Sequence, residues 1–131
     1  MGHLGLTPQG INRLGGYRVQ GRSRKEQEKI YKDAELLQSL GVFALVLECI
    51  PENVGAAIAQ NLHIPVIGIG AGRKCDGQIL VINDILGLYN GLLPRFVKQY
   101  AHLNKTIHSA VQRYKREVTK GIYPSKKHIY T

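Results

Sequence analysis

At 131 residues and 44% apolar side chains the chain holds enough material for one domain with a buried core; no apolar run reaches the roughly 18 residues of a membrane span, and Met1-Gly2-His3-Leu4-Gly5 has neither the basic lead nor the apolar centre of a signal peptide, so a soluble cytoplasmic protein is expected. Cys49 and Cys75 make no CxxC pair and have no histidine cluster at ligand spacing, which argues against a disulfide framework and against a zinc site. The formal charge of +9 would suit nucleic acid or an acidic membrane, but the basic residues fall into two separate groups, Arg22, Arg24, Lys25, Lys29 and Lys32, then Arg113, Lys115, Arg116 and Lys120, with no interleaved aromatics and no helix-turn-helix or zinc motif; solvated helix faces account for most of them, and neither partner is expected.

In chain order, Thr7-Pro8-Gln9 has the form of a helix start, Thr7 as N-cap and Pro8 at the first helical position, for a brief helix that stops at Gly15-Gly16. Tyr17 to Gly21 is polar and bounded by glycine, hence a loop. Ser23 and Glu26 make a capping box, and Ile30, Ala34, Leu37 and Leu40 follow at three- and four-residue steps, so a helix with one apolar stripe is predicted up to Gly41. Phe43 to Cys49 is the most apolar stretch and has the character of a strand covered on both faces. Pro51 then opens a short helix with Val54, Ala57 and Ile58 on one side.

Ile64 to Gly72 is a second buried strand running into glycines. A dinucleotide-binding reading fails there, because counting from Gly68 the third glycine position is held by Arg73; glycines that permit tight turns and close packing explain the pattern better. Asp76-Gly77 makes a turn, and Gln78 to Ile82 a third long strand ending at Asn83-Asp84. Pro94 to Leu103 and Asn104 to Lys120 are predicted helices, the second capped by Asn104, carrying Ile107, Val111, Tyr114 and Val118 along one side and stopped by Gly121. The tail from Tyr123-Pro124 to His128 and Tyr130 is expected to be irregular. Strands separated by helices imply a parallel α/β sheet, either open or part of a closed barrel.

Glu48 stands out. It lies at the carboxyl end of the central strand, where a carboxylate is tolerated only if it leaves the core for a cleft, and both open α/β sheets and α/β barrels bind ligands at that end. A carboxylate there can equally cap the next turn or pair with a Lys or Arg.

Several blocks together resemble the 3-methyl-2-oxobutanoate hydroxymethyltransferase (ketopantoate hydroxymethyltransferase) family: MGHLGLTPQ over Met1–Gln9, GYRVQGR ending at Arg22, LVLECIP over Leu45–Pro51, IPVIGIGAG over Ile64–Gly72, DGQILV over Asp76–Val81, PRFVK over Pro94–Lys98, and the tail from Tyr123 to His128. They occur in the family's order over nearly the whole chain. The resemblance implies the carboxy-terminal half of a (β/α)8 TIM-type barrel, about four parallel strands with helices, forming one partial domain over residues 1–131 with a helical tail over 94–131. It implies a homo-oligomer that uses Mg²⁺ and 5,10-methylenetetrahydrofolate to convert 2-oxoisovalerate to ketopantoate in pantothenate biosynthesis.

Carried over residue by residue, the general base is Glu48 and the substrate-contacting histidine is His3. A carboxylate partly desolvated by Leu47 and Ile50 suits a base, and an imidazole can donate to a carboxylate or keto oxygen in either charge state. The resemblance begins at the family's fifth strand, which implies that the Asp ligands of Mg²⁺, a catalytic Lys and a further Glu lie outside this sequence; Asp76 and Asp84 do not match metal ligands. Asn83 and the Arg73-Lys74 pair are minor departures. Half a barrel has unpaired strand edges and uncovered apolar faces, so dependence on self-association or on a complementary amino-terminal half is expected. The competing expectation is a non-catalytic remnant that survives as an assembly module.

Overall fold

The computed structural model describes residues 1–7 and 18–130. The helix expected from Thr7 and Pro8 to Gly15-Gly16 lies outside the described residues. The chain divides into two compact units, Met1–Leu80 and Val81–Thr131.

In the first unit, strands β1 (Gly2–Gly5), β2 (Leu45–Glu48), β3 (Val66–Ile69) and β4 (Gly77–Gln78) lie side by side in chain order, every pair parallel. Helix α1 (Arg24–Ser39) connects β1 to β2, and α2 (Glu52–Asn61) connects β2 to β3. Sequential parallel strands joined by helices are the repeating unit of an α/β barrel, so the architecture agrees with the expected half-barrel.

The core lies between the sheet and these helices. Leu45, Leu47 and Val66 project from one sheet face onto Ile30 and Ala34 of α1 and Val54 and Ile58 of α2, all buried in one cluster. Each such aliphatic side chain contributes about 1.5–3 kcal/mol by leaving water. The apolar stripe of α1 therefore packs as its spacing predicts through Ile30, Ala34 and the partly buried Leu37, and then fails. Leu40 is 72% exposed and Phe43 71% exposed, because the helix ends at Ser39 and Gly41, at φ +84°, turns the chain away before β2 begins.

The start of α1 forms as its residues require. The Ser23 hydroxyl accepts from the Glu26 backbone N–H, and the Glu26 carboxylate accepts from the N–H groups of Ser23 and Arg22. Those bonds, the Ser23 backbone N–H foremost, hold the Glu26 carboxyl below its ordinary value. Its contribution to stability is therefore complete above the ordinary carboxylate range and is lost as pH falls through the lowered value. Ser23→Ala should cost about 1 kcal/mol in urea unfolding, while Ser23→Asp should keep nearly all of it.

Two predicted elements are corrected. The long strand over Gln78 to Ile82 is instead a two-residue strand followed by the short helix α3 (Ile82–Ile85). β3 ends at Ile69, and the last ladder bond runs from the Ile79 N–H to the Gly68 carbonyl; past it Leu80 and Val81 have no continuing strand of β3 to pair with, and a run of Ile, Leu and Val has no periodicity of its own to favour strand over helix.

The second correction concerns the predicted helix from Pro94 to Leu103, which is absent. A single turn is closed by the Val97 N–H on the Pro94 carbonyl, and the N–H groups of Tyr100, Ala101, Leu103 and Asn104 donate to the carbonyls of Ile85, Leu86 and Gly87, which fixes residues 100–104 against the end of α3. The following helix α4 (Leu103–Thr119) has His102 rather than Asn104 at its N-cap. Asn104 sits inside the first turn, its carbonyl oxygen accepting from the Lys105 N–H and its amide bonded to Asn90. Ile107, Val111, Tyr114 and Val118 share one side of α4 as their spacing predicts, and all are exposed. The tail holds a single 3-10 turn, Lys126–His128, capped by Ser125.

Candidate active site

Strand side chains alternate between the two faces of a sheet. With Leu45, Leu47 and Val66 committed to the helix side, Val46, Glu48, Ile67 and Ile69 point to the other, and none of these four belongs to the helix-side cluster. The register aligns Gly5, Glu48 and Ile69 in one row at the carboxyl ends of β1, β2 and β3, with His3, Val46 and Ile67 in the row two residues back.

His3 and Glu48 are thus diagonal neighbours on the face turned away from α1 and α2, a separation that long side chains can span. The His3 Nε2 lies 3.1 Å from the Glu48 Oε2, with the two side chains 35% and 16% exposed. An ionised carboxylate can only accept, so with Glu48 ionised this contact is a hydrogen bond when the imidazole proton is on Nε2. One carboxylate oxygen, Oε2, is engaged by His3; among the described residues Oε1 has no hydrogen-bond partner. The structure brings together the two residues singled out from sequence, which are 45 positions apart.

Backbone bonds hold the end of β2 in place. The Glu48 carbonyl accepts from the Leu6 N–H at 2.8 Å, the Cys49 N–H donates to Ile69 at 2.9 Å, and the Cys49 carbonyl accepts from Gln20 at 2.9 Å. Cys49 itself adopts φ +52°, a left-handed conformation that disfavours side chains and turns the chain sharply after the carboxylate. Burial, and secondarily the charge of Glu48, push the Cys49 thiol up, with Arg22 opposing them. Burial and then Asp76 do the same to Cys75. Both thiols are therefore poor nucleophiles near neutrality.

Two residues that sequence reasoning passed over brace β3, Glu52 beyond its carboxyl end and Asp76 at its amino end. Glu52, in the first turn of α2, accepts from the Arg73 side chain at 3.1 Å and ties that helix to the loop after β3. The Asp76 carboxylate accepts from the backbone N–H of the fully buried Val66 at 2.8 Å, while the Asp76 N–H donates to the Val66 carbonyl. No spacing signals such a bond; it appears only once β3 and β4 are adjacent. Asp76→Ala would leave a buried N–H unpartnered and should cost about 1–3 kcal/mol in chemical unfolding, with Asp76→Asn recovering most of it.

The Mg²⁺ implied by resemblance was tested against the side chains present. A magnesium ion takes six ligands in near-ideal octahedral geometry, one or two carboxylates among them. Among the described residues no three His, Cys, Asp or Glu side chains converge to hold a cation, and the Asp76 carboxylate is occupied by Val66. These residues do not by themselves make a Mg²⁺ site. Among the described residues, too, no helix is long and apolar enough to cross a membrane.

Comparison with known proteins gives a consistent picture. The profile described as ketopantoate hydroxymethyltransferase matches residues 1–126. Proteins named 3-methyl-2-oxobutanoate hydroxymethyltransferase are 54% identical in Pelobacter propionicus and 53% in Moorella thermoacetica, each over 130 residues and 99% of this chain. That of Thermotoga neapolitana is 52% identical over 131 residues, the whole of it. The match covers 48% of each relative, so the chain spans about half the length of the curated relatives it matches.

Proposed function

We propose, because this chain belongs to the ketopantoate hydroxymethyltransferase family, that Glu48 is the general base of a hydroxymethyl transfer from 5,10-methylenetetrahydrofolate to 2-oxoisovalerate, giving ketopantoate for pantothenate biosynthesis in the cytoplasm. The observation that carries this reading is the Glu48 carboxylate itself: it stands at the carboxyl end of a parallel strand, on the face turned away from α1 and α2, mostly shielded from water, and bonded to His3. Ligands of α/β barrels bind at that end.

Oε1 of Glu48 takes the proton from C3 of the oxo acid, and the electron pair of the broken C–H bond passes into the enolate. Water takes the methylene carbon off both nitrogens of the folate donor as formaldehyde, its two protons passing to those nitrogens; C3 of the enolate then bonds to that carbon as its C=O bond opens to an alkoxide, which takes back the proton held by Glu48. His3 holds Oε2, so that Oε1 faces the substrate, and its ring lies close enough to the same pocket to contact the substrate's polar end. A Mg²⁺ ion, if held by side chains from the half of the family fold that this chain does not span, would draw electrons from the keto group. The working species is a homo-oligomer containing both halves.

The decisive measurement follows hydrogen exchange at C3 of 2-oxoisovalerate in D2O by proton NMR. It uses the chain with magnesium chloride, alone and mixed with the amino-terminal half of the Moorella thermoacetica relative. Exchange above the buffer rate, followed by ketopantoate once the folate donor is added, is expected of the mixture. A mixture that forms a complex but exchanges no deuterium would rule out the reading and favour an assembly module.

A further inference from the structure

Charge is unevenly spread around the end of β2. Among the described residues of the first unit, every lysine or arginine outside a helix lies in one of two stretches. Arg18 and Arg22 belong to the connection from β1 into α1, Arg73 and Lys74 to the loop that leaves β3, and all four are exposed. Both stretches are fastened beside the base. The Gln20 N–H donates to the Cys49 carbonyl, the Gln20 amide donates to the Arg18 carbonyl, and a Cβ on Gly21 would lie 3.7 Å from Pro51, so residues 18–22 run along the segment that follows Glu48. From the β3 side, Arg73 gives its backbone N–H and its Nε–H to the Glu52 carboxylate, four residues past the base. That backbone bond foremost, with the Arg73 side chain and the Lys74 charge assisting, holds the Glu52 carboxyl below its ordinary value. The other nearby carboxylate, Glu26, is taken by the N–H groups of Arg22 and Ser23. Among the described residues Arg18, Arg22 and Lys74 form no ion pair.

We infer that Arg18, Arg22, Arg73 and Lys74 form a rim subsite for the glutamate tail of the one-carbon donor, the ligand class being an oligocarboxylate. The inference rests on the function proposed above and adds which part of the donor is recognised. The oxo acid is too small to use these cations, because its C3 has to lie against the Glu48 carboxylate and its own carboxylate is only two bonds from C3. The donor is long. Its reactive carbon must reach C3, while its glutamate, with two carboxylates and one more for each γ-linked glutamate added, projects away across an aminobenzoyl ring and leaves at the rim. A guanidinium offers paired N–H donors that match a carboxylate. A single exposed ion pair is worth little, so cations on both sides of β2 gain most from a ligand that presents several carboxylates at once.

The test compares 5-formyltetrahydropteroyl-monoglutamate with its triglutamate by isothermal titration calorimetry, using the full chain and the amino-terminal half of the same relative. The triglutamate should bind roughly tenfold more tightly at low ionic strength, and added salt should shrink that ratio. In the double variant Arg22→Gln/Lys74→Gln the ratio should fall to within about twofold. The matched change Lys115→Gln/Arg116→Gln on α4 removes the same charge from the second unit and should leave the ratio unaltered. If Arg22→Gln/Lys74→Gln fails to fold, Lys74→Gln decides alone by whether the ratio drops. Equal binding of the two compounds by the wild type overturns the subsite, as does a preference that survives loss of Arg22 and Lys74, or one lost equally in the α4 variant. Binding of neither compound overturns it too, and deuterium exchange at C3, which needs no folate, then judges Glu48 separately.

Discussion

Glu48→Gln should lower the rate of C3 deuterium exchange, and of ketopantoate formation, by on the order of a thousandfold in the assembly that contains both halves. The replacement is nearly isosteric, and the amide carbonyl can still accept from His3 Nε2, so position and packing are retained and only the capacity to take a proton is lost. Binding of 2-oxoisovalerate should change little, because the carboxylate acts on the hydrogen at C3 rather than on the polar end of the molecule. Loss confined to kcat, with KM within a few-fold, is the expected signature of a group that acts in the transition state. Full activity in Glu48→Gln would remove Glu48 from the mechanism.

Gly5→Ala should be the most damaging single change in the first unit outside the hydrophobic core. A Cβ at that position would lie 2.1 Å from the carbonyl oxygen of Glu48, and the backbone stands at φ +89°. The clashing atom is main chain, itself held by the Leu6 N–H, so it cannot swing aside as a side chain would. The left-handed conformation costs an alanine about 1–2 kcal/mol, and forcing β1 and β2 apart adds about 1–3 kcal/mol. Gly41→Ala separates the two contributions. It shares the same conformation at φ +84° but meets nothing within 4 Å, so it should lose only the conformational part, about 1–2 kcal/mol. Urea unfolding of the two variants measures the difference. Equal losses would mean that the approach of β1 to the Glu48 carbonyl is looser than the structure has it.

How much of this was legible beforehand depended on whether the signal was local. The capping box at Ser23 and Glu26, the stripe through Ile30 and Ala34, and the strand around Leu45 to Glu48 are each specified by neighbours in sequence, and each formed. The run from Gln78 to Ile82 carried no periodicity, so its end was decided by where β3 stopped, a tertiary fact. Asn104 has the right chemistry for an N-cap, but the chain before it was recruited by the carbonyls at the end of α3 and the cap fell two residues earlier, at His102. Glu48 could be singled out as an acid at the end of an apolar strand. Its pairing with His3 could not be read from spacing, since it depends on the parallel register of β1 with β2, and neither could the row Gly5, Glu48, Ile69. Family resemblance named both residues without supplying the geometry that joins them.

The alternation along β2 has a consequence for how this sequence can change. Leu47 and Glu48 are successive residues with opposite destinations, one under the helices and one over the open face. Loss of a single residue from the strand would exchange those destinations, driving the carboxylate into an oily interior and lifting a leucine into the mouth. Length variation among relatives is thus expected to be confined to the connections that precede Leu45 and follow Pro51, whereas β2 itself admits replacements but no insertions or deletions.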